Sequence, residues 1–219
     1  MSDKVLRLYA GTPRSIRSFL WLRSMLTPYD DIAAMLPTQG RVVDLGAGYG
    51  LLSLALSSAA PQREVVGIDH DATRVRIAAA AALRLPAPRP KFEVGDLKAK
   101  LRGFASGSLA GIAMIDILHY FDSASQLFLI SNAARTLAPG GILLLREIDS
   151  DAGRKATVNR FYEWLATGVG FTRSANRRLT FRGAREWTSL LESAGFTVRS
   201  QPSGPRFLAD TLFVASRKL

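Results

Sequence analysis

The sequence predicts an α/β fold: a mostly parallel β-sheet with helices on both faces. From residue 40 onward, short runs rich in Val, Ile and Leu alternate with longer segments of helical periodicity, which is the pattern of repeated βαβ units. A glycine-rich turn from Gly46 to Gly50 joins the first run to the next helix. Two closely spaced final runs indicate an antiparallel edge. A chain of 219 residues fits one such domain.

Seven segments are predicted as strands because they are short, apolar and rich in β-branched residues. The fourth of them is apolar throughout, which is typical of a central parallel strand that is covered on both faces. In chain order the predicted strands are RVVDLG, EVVGID, KFEVGD, LAGIAMIDIL, ILLLREI, TVRSQP and RFLADTLFVASRK.

The segments around these strands are predicted as helices. Residues 1–36 form a helical cap, in which Thr27 and Pro28 end RSIRSFLWLRSML and YDDIAAML begins a second helix. Asp71 is interpreted as the N-cap of DATRVRIAAAAALRL, which ends at a Pro-rich stretch. The other predicted helices are LLSLALSSAA, SASQLFLISNAARTLA, which a Pro-Gly-Gly stretch ends, and GAREWTSLLESAGF.

Composition limits the classes of function. No apolar run reaches the roughly 18 residues of a membrane span, and the N-terminus lacks the apolar core of a signal peptide, so a cytoplasmic location is expected. The chain has no cysteine, which excludes disulfides, thiolate metal sites and a cysteine nucleophile; no metal site is predicted. The net charge of +11 indicates either a solvated basic face or a surface for an anionic partner.

The glycine turn, RVVDLGAGYG, is the first chemical signal. A dinucleotide-binding turn reads G-x-G-x-x-G, whereas this turn reads G-x-G-x-G with Asp44 two residues before the first glycine. A carboxylate beside a pyrophosphate is unfavourable, but it attracts an ammonium group. The turn therefore indicates a ligand with an amine at the carboxyl ends of the strands.

Two further acids follow the next strands. Asp69 ends the second strand, where an acid accepts hydrogen bonds from ribose hydroxyls in nucleotide-binding folds. Asp96 follows the third strand, within reach of a nucleobase amino group. A ligand that carries an ammonium, a ribose and an adenine in this order is S-adenosylmethionine (SAM).

The motifs VVDLGAGYG, VVGIDHD, FEVGDL, IDILHYF and TLAPGGILLLREID occur in this order between roughly residues 38 and 149. Together they resemble the class I SAM-dependent methyltransferases. The resemblance implies a Rossmann-like, seven-stranded sheet of order 3-2-1-4-5-7-6 with the last strand antiparallel, and one methyltransferase domain over residues 1–219. It also implies SAM as cofactor and S-adenosylhomocysteine as product. One departure is SLAG, from Ser108, where many members have S-x-D.

The resemblance also assigns roles to residues. The glycine turn would hold the methionine part of SAM, and Asp69 would bind the ribose. His70 would flank the adenine, and Asp96 and Leu97 would contact its edge. Asp116 would lie under the sulfonium. For Asp44, Asp69 and Asp96, the competing interpretation is a helix cap. The implied cofactor-binding residues are Asp44, Gly46, Ala47, Gly48, Gly50, Asp69, His70, Asp96, Leu97 and Asp116.

The catalytic step requires little chemistry from side chains. Methyl transfer from a sulfonium is an in-line displacement in which orientation is most of the task, and a base is needed only when the acceptor must lose a proton. His119, in DILHYF, is the candidate base, and Tyr120 is an alternative polar group. A packing role for His119 is the competing interpretation.

The acceptor is expected to depend on the cap of residues 1–36 and on an Arg-rich insert at 150–182. Their aromatic residues either wall an apolar pocket or pack the cap onto the sheet. The expected function is methyl transfer to a small molecule that is lipid-like, aromatic or tethered to an acidic carrier protein. The alternatives are an RNA methyltransferase that uses the basic surface and a non-catalytic SAM-binding protein; a peripheral membrane contact also stays open. Candidate substrate residues are Trp21, Tyr29, Glu147, Tyr162 and Arg173.

Overall fold

The sheet has the predicted topology. The computed structural model describes residues 3–152 and 179–218, and the strands in these ranges are Gly40–Leu45 (β1), Arg63–Asp69 (β2), Lys91–Val94 (β3), Leu109–Ile115 (β4), Leu137–Ile148 (β5), Phe196–Pro202 (β6) and Asp210–Arg217 (β7). They form one sheet of order β3-β2-β1-β4-β5-β7-β6. β1 to β5 pair in parallel, and β7 runs antiparallel between β5 and β6. The sheet order implied by the resemblance is therefore confirmed.

Helices cover both faces of this sheet. Those in the described ranges are Asp3–Arg7 (α1), Arg14–Leu26 (α2), Tyr29–Ala34 (α3), Leu51–Ala59 (α4), Ala72–Ala82 (α5), Leu97–Gly103 (α6), Ser123–Thr136 (α7) and Ala184–Ser193 (α8). Helices α1 to α5 pack on one face, and α6 to α8 pack on the other. Within the described ranges, no helix is long and apolar enough to cross a membrane.

Each central strand supplies side chains to both cores. Val42 packs with the α1–α5 layer and Val43 with the α6–α8 layer, because successive side chains of a strand point to opposite faces. Both faces are covered, so the strands appear in the sequence as continuous apolar runs.

The fourth strand is shorter than predicted. Asp116 has φ 55°, in the left-handed region that residues other than glycine rarely adopt. Strand pairing therefore stops at Ile115, and the chain turns into a short 3₁₀ helix at Leu118–Tyr120. The sequence prediction had continued the strand through this turn.

Other boundaries also differ from the prediction; β7, for example, begins at Asp210, whereas the predicted strand began at Arg206. The short helix α6 was not predicted; it begins directly after Asp96, which caps it. Helix α7 ends at Thr136, before the Pro-Gly-Gly stretch that was expected to end it. That stretch lies inside β5, next to a register irregularity between Leu109 and Gly111.

Arg63, the first residue of β2, joins the ends of two helices. Its side chain is buried and donates hydrogen bonds to four main-chain carbonyls: Ala33 at 2.8 Å, Leu36 at 2.7 Å, Pro37 at 2.6 Å and Leu56 at 3.0 Å. The last carbonyls of a helix have no partner within the helix. Arg63 therefore satisfies the C-terminal ends of α3 and α4 at once.

Replacement of Arg63 by Met is expected to lower the free energy of unfolding by about 3 kcal/mol, because buried carbonyls lose their donor. Urea denaturation measures the change. The matched control is Arg41→Gln on the adjacent strand, where an exposed arginine pairs with Glu64 at 3.0 Å and the expected loss is below about 1 kcal/mol. Equal losses in the two variants would contradict the proposed role of Arg63.

Candidate cofactor and acceptor site

The glycine turn between β1 and α4 has the backbone conformation that its glycines permit. Gly46, Gly48 and Gly50 have φ angles of 85°, 54° and 83°, a region that glycine adopts without steric cost. The amides of Gly46 and Ala47 donate to the carbonyl of Ile68 on β2 at 2.8 Å and 2.9 Å. The turn is thus held against the adjacent strand.

The three glycines face different surroundings. A Cβ atom at Gly46 would lie 2.6 Å from the Ile117 side chain, and one at Gly50 would lie 2.7 Å from Phe92. A Cβ atom at Gly48 would meet no atom within 4 Å. Gly46 and Gly50 are therefore required for packing, whereas Gly48 borders open space that a ligand can approach closely.

Asp69 holds the middle of this turn from the end of β2. Its carboxylate is almost fully buried and accepts hydrogen bonds from the amides of Gly48 at 2.8 Å and Asp71 at 2.9 Å. A carboxylate offers about four acceptor positions, so two backbone bonds leave capacity for ligand hydroxyls. His70 is half-exposed, with Nδ1 3.4 Å from the Asp69 carboxylate.

Asp44, on β1, is buried beneath the turn. It accepts a hydrogen bond of 2.6 Å from the hydroxyl of Ser53 on α4. Burial raises the pKa of Asp44 to about 6; the Ser53 hydrogen bond opposes this shift and the charge of Asp69 adds to it. Asp44 is therefore poised to change charge near neutral pH unless a cation lies beside it.

The acids that precede α5 and α6 are helix caps in the structure. Asp71 accepts from the amides of Thr73 and Arg74, as predicted. Asp96 accepts from the amide of Ala99 at 2.8 Å. Asp96 is exposed and the adjacent Leu97 is buried. The cap uses one oxygen of Asp96, and an adenine contact at this position stays a prediction.

Asp116, at the end of β4, belongs to a buried ionic cluster. Arg146 approaches both of its oxygens at 2.5 Å, and Arg23 of α2 lies 3.1 Å from one of them. Burial would raise the pKa of Asp116, but Arg146 and Arg23 hold it below its usual value. Arg146 also pairs with Asp210 at 2.7 Å. The Asp116 carboxylate is thus paired with two cationic side chains of the chain itself, and its place beneath a sulfonium stays a prediction.

Neither Arg146 nor Arg23 was among the residues predicted for the site. The available signal was the position of Arg146 within the apolar strand ILLLREI, since a charged residue inside a buried strand requires partners. The identity of those partners depends on which elements meet at the strand end.

His119 and Glu147 form a second buried pair, on the opposite face of the sheet. His119 Nδ1 lies 2.7 Å from one Glu147 oxygen, and the other oxygen accepts from the amides of Ile117 and Leu118. Both side chains are 1% exposed. Phe181 stacks on the imidazole at 5.5 Å between ring centres, and Tyr120 packs against it at 4.2 Å. Glu147 therefore both shapes the turn after β4 and orients His119.

The N-terminal cap contacts the glycine turn through Tyr49. The hydroxyl of Tyr9, between α1 and α2, donates to the carbonyl of Tyr49 at 2.6 Å, and Phe19 of α2 contacts the Tyr49 ring edge-on. Of the predicted substrate residues, Trp21 is exposed and Tyr29 is buried in the core of the α1–α5 layer. Tyr162 and Arg173, with most of the predicted insert at 150–182, lie outside the described residues.

No group of three or more His, Asp or Glu side chains within residues 3–152 and 179–218 is arranged to hold a metal ion. The described part of the site thus presents a glycine turn, four buried carboxylates with different partners, and one oriented imidazole. These features fit a ligand with hydroxyl and ammonium groups.

Comparisons with known proteins agree with this arrangement. A family profile described as a methyltransferase domain matches residues 19–201. No protein of curated function matches the chain. Among solved structures, magnesium protoporphyrin IX methyltransferase from Synechocystis with bound SAH is 22% identical with a TM-score of 0.66, over 87% of this chain and 82% of that chain.

Two further structures are similar. A SAM-dependent methyltransferase from Methanosarcina mazei is 21% identical with a TM-score of 0.63, over 86% of this chain and 97% of that chain. The pyocyanin biosynthetic protein PhzM is 22% identical with a TM-score of 0.69, over 95% of this chain and 60% of that chain. At these identities the similarity shows the fold. Because the family profile spans most of the chain, the protein belongs to the methyltransferase-domain family and is an enzyme that uses SAM as its methyl donor.

Proposed function

We propose that the protein transfers a methyl group from SAM to a small-molecule acceptor that is lipid-like, aromatic or tethered to a carrier. The observation that supports the cofactor part is the open space beside Gly48, whose amide donates a hydrogen bond to Asp69. The small-molecule part is supported by two similar structures, whose names refer to magnesium protoporphyrin IX and to pyocyanin biosynthesis.

The chain's own residues suggest how the donor is held. Asp69 is proposed to bind the ribose hydroxyls with its remaining acceptor capacity, and Asp44 to provide the negative charge for the ammonium group. His70 and the pair Asp96 and Leu97 are proposed to border the adenine. SAM supplies the activated methyl group, so the main contribution of the protein is orientation.

Asp116 is proposed to act as a positioning residue. Its carboxylate is engaged by Arg146 and Arg23, and Arg23 belongs to α2. This ion pair fixes the cap at the carboxyl end of β4. We therefore propose that Asp116 contributes to the site by holding α2 in place.

His119 is proposed as the proton acceptor for substrates that must lose a proton. Glu147 orients the ring through Nδ1, as the carboxylate does in hydrolytic triads. Because Phe181 and Tyr120 pack on the imidazole, proton transfer requires one of these rings to move aside. The donor-binding and proton-accepting roles can be tested separately.

Replacement of Asp69 by Ala is expected to weaken SAM binding by roughly 10- to 100-fold, because charge-assisted hydrogen bonds are lost. Isothermal titration calorimetry with SAM measures the affinity. The matched control is Asp122→Ala, which removes a carboxylate cap from α7 on the other face of the sheet. Unchanged affinity in Asp69→Ala, or an equal loss in both variants, would contradict the role of Asp69.

The affinity for SAM is expected to fall as the pH is lowered through about 6, the pKa of Asp44, because the protonated acid no longer attracts an ammonium. The raised pKa of Asp44 also makes the free energy of unfolding depend on pH. The pKa of Asp44 in the folded state is raised above the usual aspartate value of 3.8. The contribution of Asp44 to stability is therefore present at low pH and is lost as the pH rises through about 6.

The Asp44→Asn substitution is expected to remove both the pH dependence of SAM binding and the pH dependence of stability that Asp44 causes. Between pH 4 and 7, the free energy of unfolding of the wild type is expected to fall by about 2 kcal/mol relative to this variant. Titration of SAM binding and urea denaturation over this range measure the two effects. Parallel pH profiles of wild type and Asp44→Asn would contradict both.

Methyl-tritiated SAM is expected to label a solvent-extractable small molecule when the enzyme is incubated with separate small-molecule, RNA and protein fractions of its source cells. His119→Gln is expected to lower this labelling by about 100-fold or more with unchanged SAM affinity. Scintillation counting of each fraction measures the transfer.

Asp69→Ala serves as the control for enzyme-dependent labelling. Label that accumulates in RNA would overturn the small-molecule acceptor without affecting the cofactor assignment. If His119→Gln lowers the melting temperature but leaves transfer and its pH profile unchanged, the imidazole is a packing residue.

A further inference from the structure

Helix α2 carries apolar side chains on the side that faces away from the protein core. Trp21, Leu22 and Met25 are 55%, 39% and 58% exposed, whereas Leu20 is buried against the core. A helix that is apolar on both sides is expected to be covered on both. Arg14, Arg17, Trp21, Leu22 and Met25 lie on one side of the helix and are called the α2 outer face.

The charged residues in the segment that contains α2 are all basic. Residues 4–29 include Lys4, Arg7, Arg14, Arg17 and Arg23 and no acidic residue. Arg23 pairs with Asp116, whereas the side chains of Arg14 and Arg17 are exposed. They line one shallow recess together with Trp21. The closest acids along the chain are Asp3 of α1 and Asp30 and Asp31 of α3.

A cleft of about 760 Å³ opens beside the same face. Trp21 and Met25 form one wall, and Pro202, Pro205 and Leu212 contribute to the others. Asp31 also lines it. Apolar surface therefore continues from the helix into one part of this cleft, whose other lining residues include the polar Ser24 and Gln201.

We propose that the α2 outer face binds the surface of an anionic lipid bilayer. An interfacial helix combines bulky apolar side chains with arginines that contact lipid phosphates, and the α2 outer face provides both. RNA fits less well, because the side chains of Leu22 and Met25 can neither donate a hydrogen bond to a phosphate nor stack as an aromatic ring on a base. The proposal does not depend on the identity of the methyl acceptor.

The test is co-sedimentation of the full chain with vesicles of phosphatidylcholine alone or mixed with phosphatidylglycerol. Binding is expected only to the anionic vesicles and is expected to weaken as salt rises. Arg14→Gln with Arg17→Gln is expected to weaken binding by roughly 25-fold, about fivefold for each arginine. Leu22→Ser with Met25→Ser is expected to weaken it by about tenfold.

The matched controls are Arg102→Gln on α6 and Leu127→Ser on α7. Both residues are exposed and belong to helices on the opposite face of the sheet. Circular dichroism melting of every variant checks that the fold is retained. The controls are expected to bind vesicles as the wild type does.

Three outcomes would overturn the proposal: no binding to anionic vesicles at low salt, equal losses in the control and α2 variants, or retention of binding by Leu22→Ser with Met25→Ser. A transfer RNA probe provides a further comparison. If the α2 variants lose affinity for this RNA while the wild type does not bind vesicles, the face is a nucleic-acid surface.

Discussion

The buried guanidinium of Arg146 is the interaction on which the site depends most. It contacts Asp116 at the end of β4, Asp210 at the start of β7, the carbonyl of Leu26 at the end of α2 and Ser203 in the loop after β6. Loss of one partner from a buried ion pair costs about 3–5 kcal/mol, because the other charge stays buried. The cluster therefore fixes, together, the cap helix, the antiparallel strand and the left-handed turn at Asp116.

The end of β5 organises both faces of the sheet through two adjacent residues. Arg146 points toward the α1–α5 layer and holds the cap, whereas Glu147 points toward the other layer and holds His119 and the turn after β4. Successive side chains of a strand alternate in direction. The position of α2 and the orientation of the imidazole are thus set by one short piece of backbone.

The three buried aspartates of the site differ in the charge and the hydrogen-bonding capacity that they retain for a ligand. Asp116 is neutralised by arginines, and Asp69 is bound by two amides that leave acceptor capacity. Asp44 has one hydroxyl donor and a raised pKa, so its charge is the most responsive to a bound cation. Residues of the same type at equivalent strand ends therefore have three electrostatic roles, which their chemical identity alone does not reveal.

The sequence by itself determined the chain order of the strands and of most helices, the position of the glycine turn and the acid at the end of each of the first three strands. These features depend on local periodicity, on glycine conformation and on spacing along the chain, which one segment contains completely. The tertiary structure decided that Asp116 pairs with Arg146 and Arg23, that Glu147 orients His119 and that Gly48 alone of the three glycines borders open space. Those relations join residues 28 to 93 positions apart or depend on packing around the turn, so no local pattern could specify them. The outward apolar face of α2 belongs to the same class, because exposure is a property of the folded chain.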